Sequence, residues 1–165
     1  MCSSVHLFGN SPTCNINKII PPHSKTAAIG AGISFLKRQS VDFWFVRAAQ
    51  YSKNSNCLAN TVIVLSSNED SVVNNIVSIS DKTVEHFLAS YDLSIVPSLG
   101  LFAVLWLKVK FENIYISGIT LDITDANING YFWNATERRV NSYHNLLAEC
   151  LFLSKMIKQQ TLYEF

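Results

Sequence analysis

The chain alternates short apolar, β-branched runs with segments whose apolar positions recur at helical spacing. Val5–Phe8, Thr26–Ile29, Asp42–Val46, Thr61–Leu65 and Ile114–Ile119 fit the first pattern. Several of them are apolar at nearly every position, as strands covered on both faces must be. Ser11–Ile20 reads as a short first helix stopped by Pro21-Pro22, because proline cannot continue one. Ile33–Arg38 reads as another short helical piece. Asp70–Val77 is ambiguous, since its valine, asparagine and serine content disfavours helix.

Two later helices are clearer. Pro97–Lys108, PSLGLFAVLWLK, is apolar on almost every side and predicts a buried helix. Val140–Gln159 brings Leu146, Leu147, Cys150, Leu151, Leu153, Met156 and Ile157 round at helical spacing. Between these helices, Ile123–Arg139 is polar, aromatic and poorly periodic, and reads as a long loop. Strands alternating with helical segments predict an α/β fold. The expectation is a single Rossmann-like domain over residues 1–165, with a mostly parallel central sheet flanked by helices.

Composition narrows the function classes. Apolar residues make up 48% of the 165 and charged residues only 15%, which fits one well-packed domain. The net charge of +1 offers no electrostatic footprint for nucleic acid. Lys37-Arg38 and Arg138-Arg139 are isolated pairs, whereas phosphate affinity needs clustered charge. Cys2, Cys14, Cys57 and Cys150 contain no CxxC spacing and read as reduced thiols, so no metal site is expected. The apolar run Leu99–Leu107 is far shorter than the roughly 20 residues a bilayer requires. No secretory signal is read at the N-terminus. A cytoplasmic location is expected, with peripheral membrane contact and homo-oligomerisation left open.

In a parallel α/β sheet, ligands gather at the carboxyl ends of the strands. Gly9-Asn10-Ser11, Gly30-Ala31-Gly32 and Ser117–Asp122 would converge there. Glycine lets a backbone approach a nucleotide closely, and an asparagine amide suits phosphate or ribose hydroxyls. The same Gly9-Asn10 pair also suits a plain tight turn. His144, near the start of the last helix, would have its pKa lowered by the positive end of the dipole, which favours a neutral base. A capping or surface histidine is the alternative. Glu149 lies five residues on, too far round for a direct pair with His144 to follow. Tyr131, Trp133 and Tyr143 could stack on a base or bind phosphate oxygens, or simply anchor the loop.

The order of three segments carries a resemblance. LFGNSP is similar to the nucleotide loop of bacterial CMP-sialic-acid-dependent sialyltransferases. VPSLGLFAVLWLKVKFENIYISGITLD looks like their Thr-Ser-Gly helix and following strand, and SYHNLLAE resembles the segment bearing their catalytic histidine. The resemblance loosely covers nearly the whole chain. It implies an enzyme that moves sialic acid, or a related nonulosonic acid, from a CMP-activated donor to a glycan acceptor. It implies no metal and no cofactor beyond that donor.

His144 would be the general base. Gly9, Asn10, Ser11, Gly30, Ser98, Gly118 and Asp122 would line the donor, with Tyr131 and Tyr143 offering hydroxyls to its phosphate. Thr-Ser-Gly has become Pro97-Ser98-Leu99-Gly100, and Gly-Ile-Asp has become Gly118-Ile119-Thr120 with Asp122 two places on. The chain is also shorter than the resemblance leads one to expect, and a reduced lid and acceptor region is the expectation. A non-catalytic nucleotide-binding or interaction module of the same fold is the alternative.

Overall fold

The computed structural model describes residues 4–10, 14–15, 17, 19–36, 40–51, 58–66, 69–119, 121 and 145–164. Among these residues, eight strands form one sheet: β1 (Ser4–Phe8), β2 (Lys25–Ile29), β3 (Val41–Arg47), β4 (Ala59–Ser66), β5 (Ser71–Val73), β6 (Ile76–Ser80), β7 (Asn113–Ser117) and β8 (Tyr163–Glu164). Their order is β5-β6-β4-β3-β2-β1-β7-β8. Every pairing is parallel except β5 with β6. The chain therefore starts near the middle, steps outward from β1 through β2, β3 and β4 to β6, and crosses back to β7 on the other side of β1. That reversal makes β1/β7 the switch point of the sheet, where the carboxyl ends of two strands open a crevice.

Among the described residues, four α-helices accompany the strands: α1 (Ala48–Tyr51), α2 (Asp81–Ala89), α3 (Leu99–Lys108) and α4 (Leu146–Lys158). One face of the sheet offers Val5, Leu7, Ile29, Phe45, Ile63, Ile114 and Ile116 to α2, α3 and α4, and buries the larger core there. Helix α3 lies deepest, with Leu101, Phe102, Ala103, Val104, Leu105 and Leu107 all buried. Its apolar surround is what the sequence pattern predicts for a helix with no solvent face. The other face carries Phe8, Ala28, Trp44, Val46, Val62 and Val64. It is covered by a 3-10 segment, Gly30–Phe35, and by parts of the chain around Cys14 and Ile20.

The helix expected over Ser11–Ile20 does not form among its described residues. Thr13, Asn15 and Asn17 are poor helix formers, and the backbone N–H of Asn15 is given to Ser117 Oγ at 2.5 Å instead of to a helical carbonyl. Asp70–Val77 resolves into the β5–β6 hairpin, turned through Asn74 at φ 54°. Asn74 and Asn75 are the residue type such hairpin turns favour. The last helix begins at Leu146, and residues 140–144 lie outside those described. The loop read over Ile123–Arg139 also lies outside them.

A carboxyl-edge crevice as the candidate functional site

At the switch point, β1 and β7 run in register, with Leu7 opposite Ile116 and Phe8 opposite Ser117. The ladder extends one residue further, because Gly9 N–H donates to Ser117 O at 2.7 Å. Gly9 and Gly118 then meet backbone to backbone. A Cβ on Gly9 would stand 2.1 Å from Gly118 O, and one on Gly118 would stand 2.4 Å from Cys14 Cβ. Gly118 is also at φ +72°, where a side chain is strained. Both expected glycines are thus required by sterics: the space a side chain would take is filled by the Gly118 backbone at Gly9 and by Cys14 at Gly118.

Asn10 follows Gly9 at this edge. Its Oδ1 is buried with no hydrogen-bond partner among the described residues. A buried acceptor of this kind is costly unless something donates to it, so it fits an incoming N–H or O–H. Beneath Gly118, burial pushes the Cys14 thiol up to about 11, while a hydrogen bond with Ser117 pulls the other way. At neutral pH Cys14 is a neutral thiol, a packing group rather than a nucleophile.

Gly30 ends β2 at φ 56°, turning the chain into the 3-10 segment. Its carbonyl accepts from Trp44 Nε1 at 2.9 Å, which fixes that corner from the far face.

Ser98 is the N-cap of α3, its hydroxyl accepting from Leu101 N–H at 3.1 Å. This helix start lies beside the crevice, since a Cβ on Gly100 would be 3.9 Å from both Ile119 and Ile29 side chains. Glu149 of α4 reaches it: Ser98 N–H donates to Oε1 at 2.6 Å and Ser98 Oγ to Oε2 at 2.5 Å. From the other side, Arg47 at the end of β3 donates to Pro97 O at 3.1 Å. Next to this helix start a cleft of about 610 Å³ opens between α2 and residues 93–97, lined among others by Arg47, Asp81, Glu85 and Leu65.

The structure thus brings Gly9, Asn10 and Gly118 together, and sets Gly30 and Ser98 around them along one edge. Ser11, Asp122, Tyr131, Tyr143 and His144 lie outside the described residues. Sequence reasoning placed Ser117 at this edge, but missed Cys14, Arg47 and the partner of Glu149. Glu149 pairs with Ser98, and no local spacing links residues 51 apart in the chain. Among the described residues there is no group of three or more His, Cys, Asp or Glu that could hold a metal ion. Nor is any of their helices long and apolar enough to cross a membrane.

No protein-family model matches the sequence, and no curated protein matches it. Solved structures do. The sialyltransferase CstII from Campylobacter jejuni, in complex with the substrate analogue CMP-3FNeuAc, aligns with 98% of this chain and 79% of its own at 11% identity and a TM-score of 0.57. The monofunctional alpha-2,3-sialyltransferase Cst-I of C. jejuni aligns with 98% of this chain and 75% of its own, at 13% identity and a TM-score of 0.58. An alpha-2,3-sialyltransferase from C. jejuni in its apo form aligns with 98% and 74%, at 14% identity and a TM-score of 0.56. At such identities the likeness is one of fold, and it spans nearly the whole chain.

Proposed function

We propose that the protein is a sialyltransferase-like glycosyltransferase using a CMP-activated sialic or related nonulosonic acid as donor. One observation carries the reading. The Gly9–Gly118 crevice sits at the switch point of a fold shared with sialyltransferases, one of them solved with CMP-3FNeuAc. Those two glycines let β1 and β7 close tightly at that edge, and Asn10 Oδ1 offers an unused acceptor to a donor group of the ligand. The finer description of the sheet as Rossmann-like belongs to the same reading, because its strand order reverses at β1/β7 as that class does.

In this reading His144 takes the proton of an acceptor hydroxyl as that oxygen attacks the anomeric carbon of the donor. The new carbon–oxygen bond forms as the bond to the CMP phosphate breaks, and CMP leaves with the electron pair. Tyr131 and Tyr143 hold the departing phosphate by their hydroxyls. Gly9, Asn10, Ser11, Gly30 and Asp122 line the donor, with Ser98 and Gly118 at its margins. The glycan acceptor lies in the cleft beside α3. No metal and no further cofactor takes part.

Calorimetric titration with CMP tests the donor site. Binding at or below millimolar concentration is expected, and its absence overturns the reading. His144→Ala should abolish transfer and leave CMP affinity nearly intact, and unchanged turnover removes His144 from its role. A non-catalytic module of the same fold is the second reading. It is favoured by the commitment of both Ser98 donors to Glu149. Transfer or donor hydrolysis by the purified protein excludes it.

A further inference from the structure

The start of α3 is held by a carboxylate that arrives from α4. Glu149 is only 3% exposed, although glutamate is among the residues least often buried. A carboxylate is stable there only where donors meet it, and Ser98 supplies two, its N–H at 2.6 Å and its hydroxyl at 2.5 Å. The positive end of the α3 dipole favours the same charge. Yet α3 does not need Glu149 as a cap, because the Ser98 hydroxyl already accepts from Leu101 N–H. What Glu149 adds is a bond between two helix starts.

Their positions give that bond a use. The start of α3 borders the crevice through Ile29 and Ile119, and Arg47 steadies it through Pro97 O. The start of α4 is capped by Asn145, whose Oδ1 accepts from Ala148 N–H at 3.1 Å. His144 is the next residue back along the chain, and one peptide bond allows only about 3.8 Å between neighbouring Cα atoms. We infer that Glu149 is a positioning residue, which fixes the entry of α4, the helix that His144 precedes in the sequence, against the start of α3 by binding both Ser98 donors. The inference rests on the reading of His144 as the base.

Glu149→Ala and Glu149→Gln in the full chain test it, each followed by hydrogen exchange and by steady-state kinetics with CMP-sialic acid. In the alanine variant, exchange in peptides covering 98–102 and 145–149 should rise about tenfold or more, with the strands β1–β4 little changed. Turnover should fall about 10- to 100-fold, the size expected when a catalytic group is slightly misplaced, while CMP affinity stays within about threefold. The glutamine variant should lie between, because its amide oxygen still accepts from Ser98 N–H. It carries the test if the alanine variant does not fold. Unchanged exchange, or faster exchange with wild-type turnover, overturns the inference. If the wild-type protein transfers nothing, the functional reading fails, and exchange alone then decides whether Glu149 ties the two helices.

Discussion

The carboxyl edge is built in two ways at places only a few side chains apart. At the β1/β7 crevice backbone meets backbone: Gly9 and Gly118 approach so closely that no Cβ fits between them. At the start of α3 the contacts are made by side chains, with Ser98, Glu149 and Arg47 converging on one turn. The first construction is steric and admits one residue type. The second is polar, and it can be weakened by degrees. A ligand surface formed from the first would be fixed in shape, whereas one formed from the second could be adjusted by a single hydrogen bond.

The largest expected effect breaks the steric side. Gly9→Ala places a Cβ 2.1 Å from the Gly118 carbonyl oxygen, and backbone on both sides must move. Thermal unfolding should show a loss on the order of 3 kcal/mol or more, together with loss of CMP binding. A variant as stable as the parent would show that the two glycines are not in close contact, and the contrast would collapse.

A smaller effect is expected at the polar construction. Ser98→Ala removes the α3 cap and one of the two bonds to Glu149, but keeps the N–H bond. The cost should be about 2 kcal/mol by chemical denaturation, with Ser98→Thr recovering most of it. If Ser98→Ala cost as much as Gly9→Ala, the gradation claimed for this side would be wrong.

The smallest effect sharpens the view beneath Gly118. The Cys14 thiol is raised to about 11, from an ordinary 9.0. At pH 8 its thiolate fraction should be about 100-fold below that of an unperturbed cysteine, so iodoacetamide should label it slowly and faster only as pH climbs. The sign for stability follows. Between 9 and 11 the unfolded thiol loses its proton before the folded one, so stability falls as pH rises through that window. Rapid alkylation of the folded protein at pH 8 would place Cys14 outside the packed crevice floor.

Much of the sheet was legible because its strands are short apolar runs. β1, β2, β3 and β4 lie within two residues of the expected ends, while β7 ends at Ser117 rather than Ile119. Their neighbours could be read from the parallel α/β pattern alone. The hairpin β5–β6 was not, because Val72 and Val73 are exposed edge residues and no hydrophobic face marks them. A helix was expected over Ser11–Ile20 from the proline stop after it, but Cys14 and Asn15 are held by β7, and that tertiary contact has no local signature. The same holds for the site. Gly9 and Asn10 could be singled out from their turn chemistry. The bond from Ser98 to Glu149 depends on where two helices begin in space, which spacing along the chain does not encode.

The Gly9–Ser117 bond also has a consequence in time. Strands β1, β2, β3 and β4 pair with their neighbours in chain order, so they can assemble as they emerge from the ribosome. β1 must wait for β7 to complete its other side, and closing so long a loop is slow relative to local pairing. Pulse-labelled exchange during refolding should therefore find β2–β4 protected before β7. Until residue 118 has been made and docked, the protein has most of its sheet but no crevice.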